Sequence, residues 1–393
     1  MKTPTLKAGF SRREFCKIMG GGSMVLGLTP GIVRKLGAQA PAAEKPATNI
    51  AEALKVPRVS HSLPGRYPGK VVKVTHANPW QQGQPDEKII HSMLSRSLLM
   101  LTGALTLQQA WRQFVSPQDV IGLKVNPVAG KMLSTNPVVV KAIISQLESA
   151  GIPRKNIVIW DRREFQLHEA GFTAEQFPGI TVTGTEQKDE AGSFYDEQGR
   201  LYGEMMIDRD WFYHAETEME YDKETLPYMI NQGKYSYFSK IATQQVDKII
   251  NVPILKNAGS SVTLCLKNLA FGAISNTARL HQQLWAETCA QVPCFPPLRD
   301  KVVLNIVDGI KGCYDGGPGA NPQFFTNYNL LMAGTDPVAV DRIGYEIVLQ
   351  KRLQENVQSE ASPRAVRYME MAADYGLGIA DPGGIQLKEL KLS

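Results

Sequence analysis

The sequence predicts an α/β fold: a mostly parallel sheet with helices on both faces and an inserted α+β or hairpin lobe. Three observations carry this reading. Short runs rich in Val and Ile alternate with stretches of helical apolar spacing between residues 71 and 350. Several of those runs are apolar throughout, the pattern of strands covered on both faces. The 393 residues are 43% hydrophobic and 21% charged, the balance of a globular chain that can bury a sizeable core.

Taken in order, residues 71–75 read as a strand and 87–101 as a helix. Residues 119–125 form a compact apolar strand. Asn136-Pro137 then caps and opens a helix to residue 150, closed by Gly151. Residues 156–160 are the next strand, with a shorter one at 180–182. Residues 185–235 break the pattern, being acidic and aromatic (Tyr195, Tyr202, Trp211, Phe212, Tyr213, Tyr221), and read as the inserted lobe. The alternation resumes with strand 248–255, helical stretches over 263–290, strands 302–307 and 329–333, and helix 337–350. Residues 44–69, rich in Ala, Pro and Lys, read as a linker, and 70–393 as one domain.

The first 43 residues read as an address. Ser11-Arg12-Arg13-Glu14-Phe15-Cys16-Lys17 matches the twin-arginine export signature, and a weakly hydrophobic, glycine-diluted run follows. Small residues at Ala38-Gln39-Ala40 and Ala42-Ala43 offer cleavage sites, so cutting near Ala43 and retention as an anchor both stay open. The expectation is a periplasmic protein whose partner during export is the twin-arginine translocase. That route carries folded chains, which biases the reading toward a cofactor, metal ion or iron–sulfur. The net charge of +5 belongs to this segment. Residues 1–40 hold seven of the 43 bases and one of the 38 acids, leaving 36 bases against 37 acids elsewhere. Such a remainder lacks the basic footprint of a nucleic-acid binder. No stretch reaches the roughly 18–20 apolar residues of a membrane-spanning helix.

Ligands of an open parallel sheet bind beyond the carboxyl ends of its strands. Four predicted strands end in polar residues: at Lys124 and Asn126, at Asp161, at Lys256, and at Asp308. Lys124, Lys256 and Lys267 each follow or interrupt an apolar run, where a lone ammonium needs an anion. They suit an anionic ligand, with buried ion pairs to Asp161, Asp308 or Asp341 as the bland alternative. Asn268 follows Lys267 and would orient the ligand. The turn around Gly317 could present backbone N–H groups to an anion or could be a mere connection. Asp336 is explained by capping the helix opened by Pro337, whereas Asp341 lies among apolar residues and is the better functional candidate. His281 lies nearest a candidate motif and suits proton transfer or metal ligation, with an ordinary surface or core histidine as the equal alternative. Cys265, Cys289, Cys294 and Cys313 leave three readings open: buried thiols, disulfides, or a metal or iron–sulfur site. They contain no Cys-x-x-Cys, and the chain has neither His-Glu-x-x-His nor Gly-x-Ser-x-Gly.

An ordered set of motifs resembles the domain of unknown function family 362. It comprises Ile121-Gly122-Leu123-Lys124-Val125-Asn126-Pro127, then Thr135-Asn136-Pro137, then the run from Asp247 to Lys256. Thr263, Lys267-Asn268 and His281 follow, then Asp308-Gly309, Gly317-Pro318 and the run from Ala333 to Asp341. The likeness covers about residues 70–380. It implies a fold distantly similar to that of lactate-racemase-type proteins, although the His set of nickel-cofactor chemistry is not present. Two departures stand out. Asn257-Ala258-Gly259 occupies the place where members often carry a His, and the ferredoxin-like cysteine run of some members is missing.

These observations lead to an exported enzyme acting on a small anionic or carboxylate-bearing substrate. Lys124, Lys256 and Lys267 hold the anion, Asn126 and Asn268 orient it, and Asp308, Asp341 and His281 handle protons or a metal. Two alternatives stand beside it: a non-catalytic ligand-binding or accessory protein of the periplasm, and an iron–sulfur electron carrier.

Overall fold

The computed structural model describes residues 45–357 and 361–393. The expected export segment therefore lies outside the described residues. Among the described residues eleven strands form the main sheet: β1 Lys70–His76, β2 Ile121–Val125, β3 Ile157–Arg163, β4 Thr181–Glu186, β5 Lys248–Val252, β6 Ile254–Ala258, β7 Ser261–Thr263, β8 Val302–Cys313, β9 Leu330–Gly334, β10 Gln386–Leu392 and a short strand at Phe325–Thr326. Their order is β10-β1-β9-β8-β5-β2-β3-β4, with β6, β7 and the short Phe325–Thr326 strand off this path. Pairing from β8 through β5, β2 and β3 to β4 is parallel. Strand β9 runs antiparallel to both neighbours, and β10 adds in parallel to β1 at the edge.

Two apolar layers flank this sheet, because neighbouring residues of a strand point to opposite faces. Ile121, Leu123 and Val125 of β2 meet helices α1 (Glu87–Thr102) and α2 (Pro137–Ser149) in one core. Val158 and Trp160 of β3 face the other layer. That layer is built by α3 (Cys265–Ala273), α4 (Ala278–Gln283), α5 (Trp285–Gln291), α6 (Pro337–Gln354) and α7 (Pro363–Asp374). Local chemistry sets the helix starts. The Asp86 carboxylate accepts from Lys88 N and Ile89 N to open α1, and Asn136 Oδ1 accepts from Val138 N ahead of α2. Asp336 caps α6 through Ala339 N at 2.8 Å and also takes the N–H groups of Gly69 and Ile379.

Several expectations are corrected. The run expected as one strand at 248–255 splits at Pro253, which has no N–H to give to a ladder, into β5 and β6. Strand β8 continues to Cys313, so Asp308 sits inside a strand and not at its exit. The helical stretches expected over 263–290 are α3, α4 and α5, whereas α7 and β10 were not foreseen. The stretch expected as a linker is packed on the domain where it is described. Ile50–Lys55 is a short helix, Ala53 and Leu63 are buried, and Arg299 donates to Ala53 O, Val56 O and Pro57 O. Ile207–His214, in the segment read as a lobe, pairs with Tyr235–Ser239, which extends beyond that segment, in a separate antiparallel ribbon. Arg279 of α4 fastens that ribbon through Ala215 O, Thr217 O, Lys234 O and Ser236 Oγ. Among the described residues no helix is long and apolar enough to cross a membrane.

Helix α3 lacks a side-chain cap of its own at Leu264. Asp341 of α6 supplies one from across the layer, accepting from Cys265 N at 2.6 Å, Leu266 N at 3.1 Å and Tyr368 Oη at 3.1 Å. Asp341→Ala strands these donors in the core and is expected to cost about 2–4 kcal/mol in urea unfolding, with Asp341→Asn losing less. Equal stability of Asp341→Ala and wild type would remove the trans-capping role.

Candidate functional site

The carboxyl ends of β2, β3 and the β5–β6 run converge beneath α3, and their polar residues form one buried network. Its spine is a row of amides. Asn305 donates to Gly334 O and Thr335 O, and its Oδ1 accepts from Asn251 Nδ2 at 2.9 Å. Asn251 Oδ1 accepts from Asn268 Nδ2 at 2.8 Å, and Asn268 Oδ1 accepts from Asn126 Nδ2 at 3.1 Å. Asn126 Oδ1 then accepts from Lys256 Nζ at 3.0 Å. Along this row each amide accepts from the next, and the last, Asn126, accepts from a cation.

Lys124 spends its ammonium on this framework. It donates to Val125 O at 2.9 Å, to Asn268 Oδ1 at 3.2 Å and to Asp161 Oδ1 in a buried ion pair. Burial lowers its pKa and the Asp161 charge works against that shift. Gly272 makes room for the pair, since a Cβ there would lie 2.3 Å from Lys124 Nζ and 3.0 Å from Asp161 Oδ1. Lys124, expected to hold the anion, therefore has its three N–H donors occupied by protein oxygens. Asn126, Asn268 and Asp161 likewise orient lysines in place of a ligand.

Lys256 and Lys267 differ from Lys124 in having no carboxylate against them among the described residues. Lys256 is fully buried and donates to Asn126 Oδ1 and Val128 O. Lys267, 7% exposed, donates to Thr263 Oγ1 at 3.2 Å and lies 5.6 Å from the Trp285 ring centroid and 6.0 Å from that of Phe271. Burial depresses both amines, to about 7 for Lys256, where Lys267 adds repulsion, and to about 8 for Lys267.

His281 completes this corner. Its Nδ1 lies 2.9 Å from Thr277 O, an oxygen that can only accept, so Nδ1 carries the proton and Nε2 keeps its lone pair. The Phe271 ring packs on it at 4.1 Å between centroids. Burial first, then the Lys267 charge, hold the imidazole neutral with its pKa pushed down to about 3. Thr277 Oγ1 in turn accepts from Arg162, whose Nε lies 3.3 Å from Glu186. Arg163 Nε meets the same carboxylate at 2.8 Å.

The remaining expected site residues serve the fold. Asp308, raised to about 6 by burial, accepts from Asn136 N and Ile310 N and so fixes the start of α2. Asp341, raised to about 7 by burial, is the trans-cap of α3. The Gly317 N–H is already donated to Asn257 Oδ1 at 2.6 Å, so the glycine turn docks on β6 and offers no cradle at that position. Cys265, Cys289, Cys294 and Cys313 are free buried thiols. Among the described residues no three His, Cys, Asp or Glu side chains gather as a ligand group, so the metal candidates Asp308, Asp341, His281 and the cysteines are not brought together. The sequence reading missed Asn251, Asn305, Thr277, Glu186 and Trp285. Asn251 and Asn305 carried a signal, each being a lone amide in an apolar strand.

The two depressed lysines have a stability signature. Their folded-state values of about 7 and 8 lie below the ordinary 10.5, so the unfolded chain binds more protons across that interval. Their contribution to stability is lowest below pH 7 and rises with pH through the folded values toward 10.5. In chemical denaturation between pH 7 and 8.5, wild type should gain stability relative to Lys267→Met as pH rises. A constant difference would show that Lys267 titrates normally.

Residues 213–346 match the model of a family described as Domain of unknown function (DUF362). That stretch contains Lys256, Lys267, Asn268 and His281. A crystal structure of a protein from Thermotoga maritima is similar at 8% identity and a TM-score of 0.36, over 69% of this chain and 59% of that one. This chain thus spans less than two thirds of that protein's length. No curated protein matches the chain. The match over residues 213–346 supports the domain of unknown function family 362 as the family this chain resembles.

Proposed function

We propose that this chain is an exported enzyme acting on a small carboxylate-bearing anion. The observation that carries the reading is the pair of buried amines, Lys256 and Lys267, with no carboxylate partner among the described residues. A protein interior that holds ammonium groups without counter-charge is preorganised for a negative ligand. Lys267, at the partly exposed edge of the cluster, contacts the anion. Lys256, fixed by the amide row, adds charge from beneath.

His281 is the proton-transfer group. Its Nε2 lone pair is available, and its low pKa reflects burial and the Lys267 charge. An anion neutralising Lys267 removes that second cause and brings the imidazole closer to the range useful for general base chemistry. The reaction class this supports is removal or return of a proton beside the substrate carboxylate. The twin-arginine motif at residues 11–17 supports export of the folded chain.

The test uses thermal shift and solvent exchange together. Small carboxylates, including 2-hydroxy and 2-oxo acids, should raise the wild-type Tm as binding to the native state requires. Lys267→Met should abolish that shift while keeping the ligand-free Tm within about 3 °C. In deuterated buffer, wild type should incorporate deuterium into the bound acid, and His281→Asn should bind without incorporating it. Binding with no exchange or turnover would replace the enzyme by a ligand-binding accessory protein. Unchanged shifts in Lys267→Met would end the lysine reading altogether. Arg12→Lys with Arg13→Lys should hold the precursor in the cytoplasm, and continued export would discard the address.

A further inference from the structure

The charge count at this end of the sheet goes further than a single carboxylate. Five cationic side chains, Lys124, Arg162, Arg163, Lys256 and Lys267, are each at most 7% exposed. The carboxylates set among them are Asp161 and Glu186, also buried. Asp161 is taken by Lys124, and Glu186 by Arg163 at 2.8 Å. Arg162 shares Glu186 at 3.3 Å and reaches Thr277 with another N–H. Five cationic groups thus face two carboxylates, with Glu186 shared by Arg163 and Arg162, so a net excess of three positive charges falls to Lys256, Lys267 and Arg162 when both lysines are protonated.

These three belong to one cluster. Lys256 and Lys267 repel each other, Arg162 repels Lys124, and His281 meets the charges of both Lys267 and Arg162. A chain of contacts also runs from Arg162 to Lys267. Arg162 bonds Thr277 Oγ1, Thr277 O takes the His281 proton, and His281 packs on Phe271, whose other neighbour is Lys267. One carboxylate would leave two of the three charges unbalanced in a low-dielectric surround, where an unpaired ion is costly.

We infer that the ligand of this site is a dianion, a molecule presenting either a phosphoryl group or two carboxylates, held between Lys267 and Arg162 above Lys256. The inference rests on the anion reading given above and narrows it. Arg162 then becomes the specificity-determining residue, its planar guanidinium suited to a second oxygen pair. Because the empty site holds its lysine amines partly neutral, seating a dianion must also draw protons from solvent.

Isothermal titration calorimetry on the full mature chain at pH 8 tests this, run in two buffers of different ionisation enthalpy. The probes are acetate, malonate and inorganic phosphate. Malonate or phosphate should bind at least about tenfold more tightly than acetate, with uptake of about one proton per ligand. The winner of the two arms identifies which kind of dianion the site takes. Arg162→Gln should erase the preference over acetate, and it should still bind acetate. Equal affinity for acetate and both dianions in the wild type would overturn the dianion assignment while leaving a monocarboxylate site standing. Absence of binding by all three, in a chain that unfolds cooperatively, would overturn both.

Discussion

An ammonium group can be buried only where oxygens or an opposite charge replace its hydration. Lys256 has two protein oxygens and Lys267 has one, together with two aromatic faces. Neither has a carboxylate against it among the described residues. Much of the surrounding architecture follows from holding these charges in place. The amide row from Asn305 to Asn126 delivers an oxygen to Lys256 and ties together β8, β5, α3 and the end of β2. A break in that row would leave several buried donors and acceptors unpaired at once, which makes the site and the sheet interdependent.

The fold reaches this arrangement by bringing α3 very close to the strand ends. Gly272 permits the approach over the Lys124–Asp161 pair, and Asp341 closes the exposed N–H groups at the helix start. The break at Pro253 also shapes this end of the sheet. The break lets β5 stay in the parallel array while β6 pairs with β8 and carries Lys256 to Asn126 and Val128. Arg279 then fixes α4, with His281, against the hairpin ribbon. The site is assembled from segments far apart in sequence, each held by its own buried polar contact.

The lysines were legible in the sequence because a lone cation in an apolar run is itself an anomaly. The same rule applied to amides would have singled out Asn251 and Asn305. What could not be read was which oxygen each group meets. Asp341 is 76 residues from the N–H it caps, and its role emerges only when α6 packs across α3. Asp308 was misplaced because β8 runs on through Gly309 to Cys313, where the apolar pattern had suggested a strand end at 307. Strand β10 escaped notice for a different reason. Its residues Gln386 to Leu392 are largely exposed on an edge, so charge and not apolar alternation dominates the segment. The export expectation rests on residue types at positions 11–17 alone, which lie outside the described residues.

Burial without a counter-charge should hold the Lys256 and Lys267 amines partly neutral until an anion arrives. Carbon-13 NMR of ε-labelled lysines measures it directly, with Lys256→Arg and Lys267→Arg assigning the two resonances. In the ligand-free protein these two should titrate near 7 and 8, and both midpoints should move upward when an anion saturates the site. Two resonances titrating near the ordinary 10.5, unmoved by any anion, would contradict this expectation.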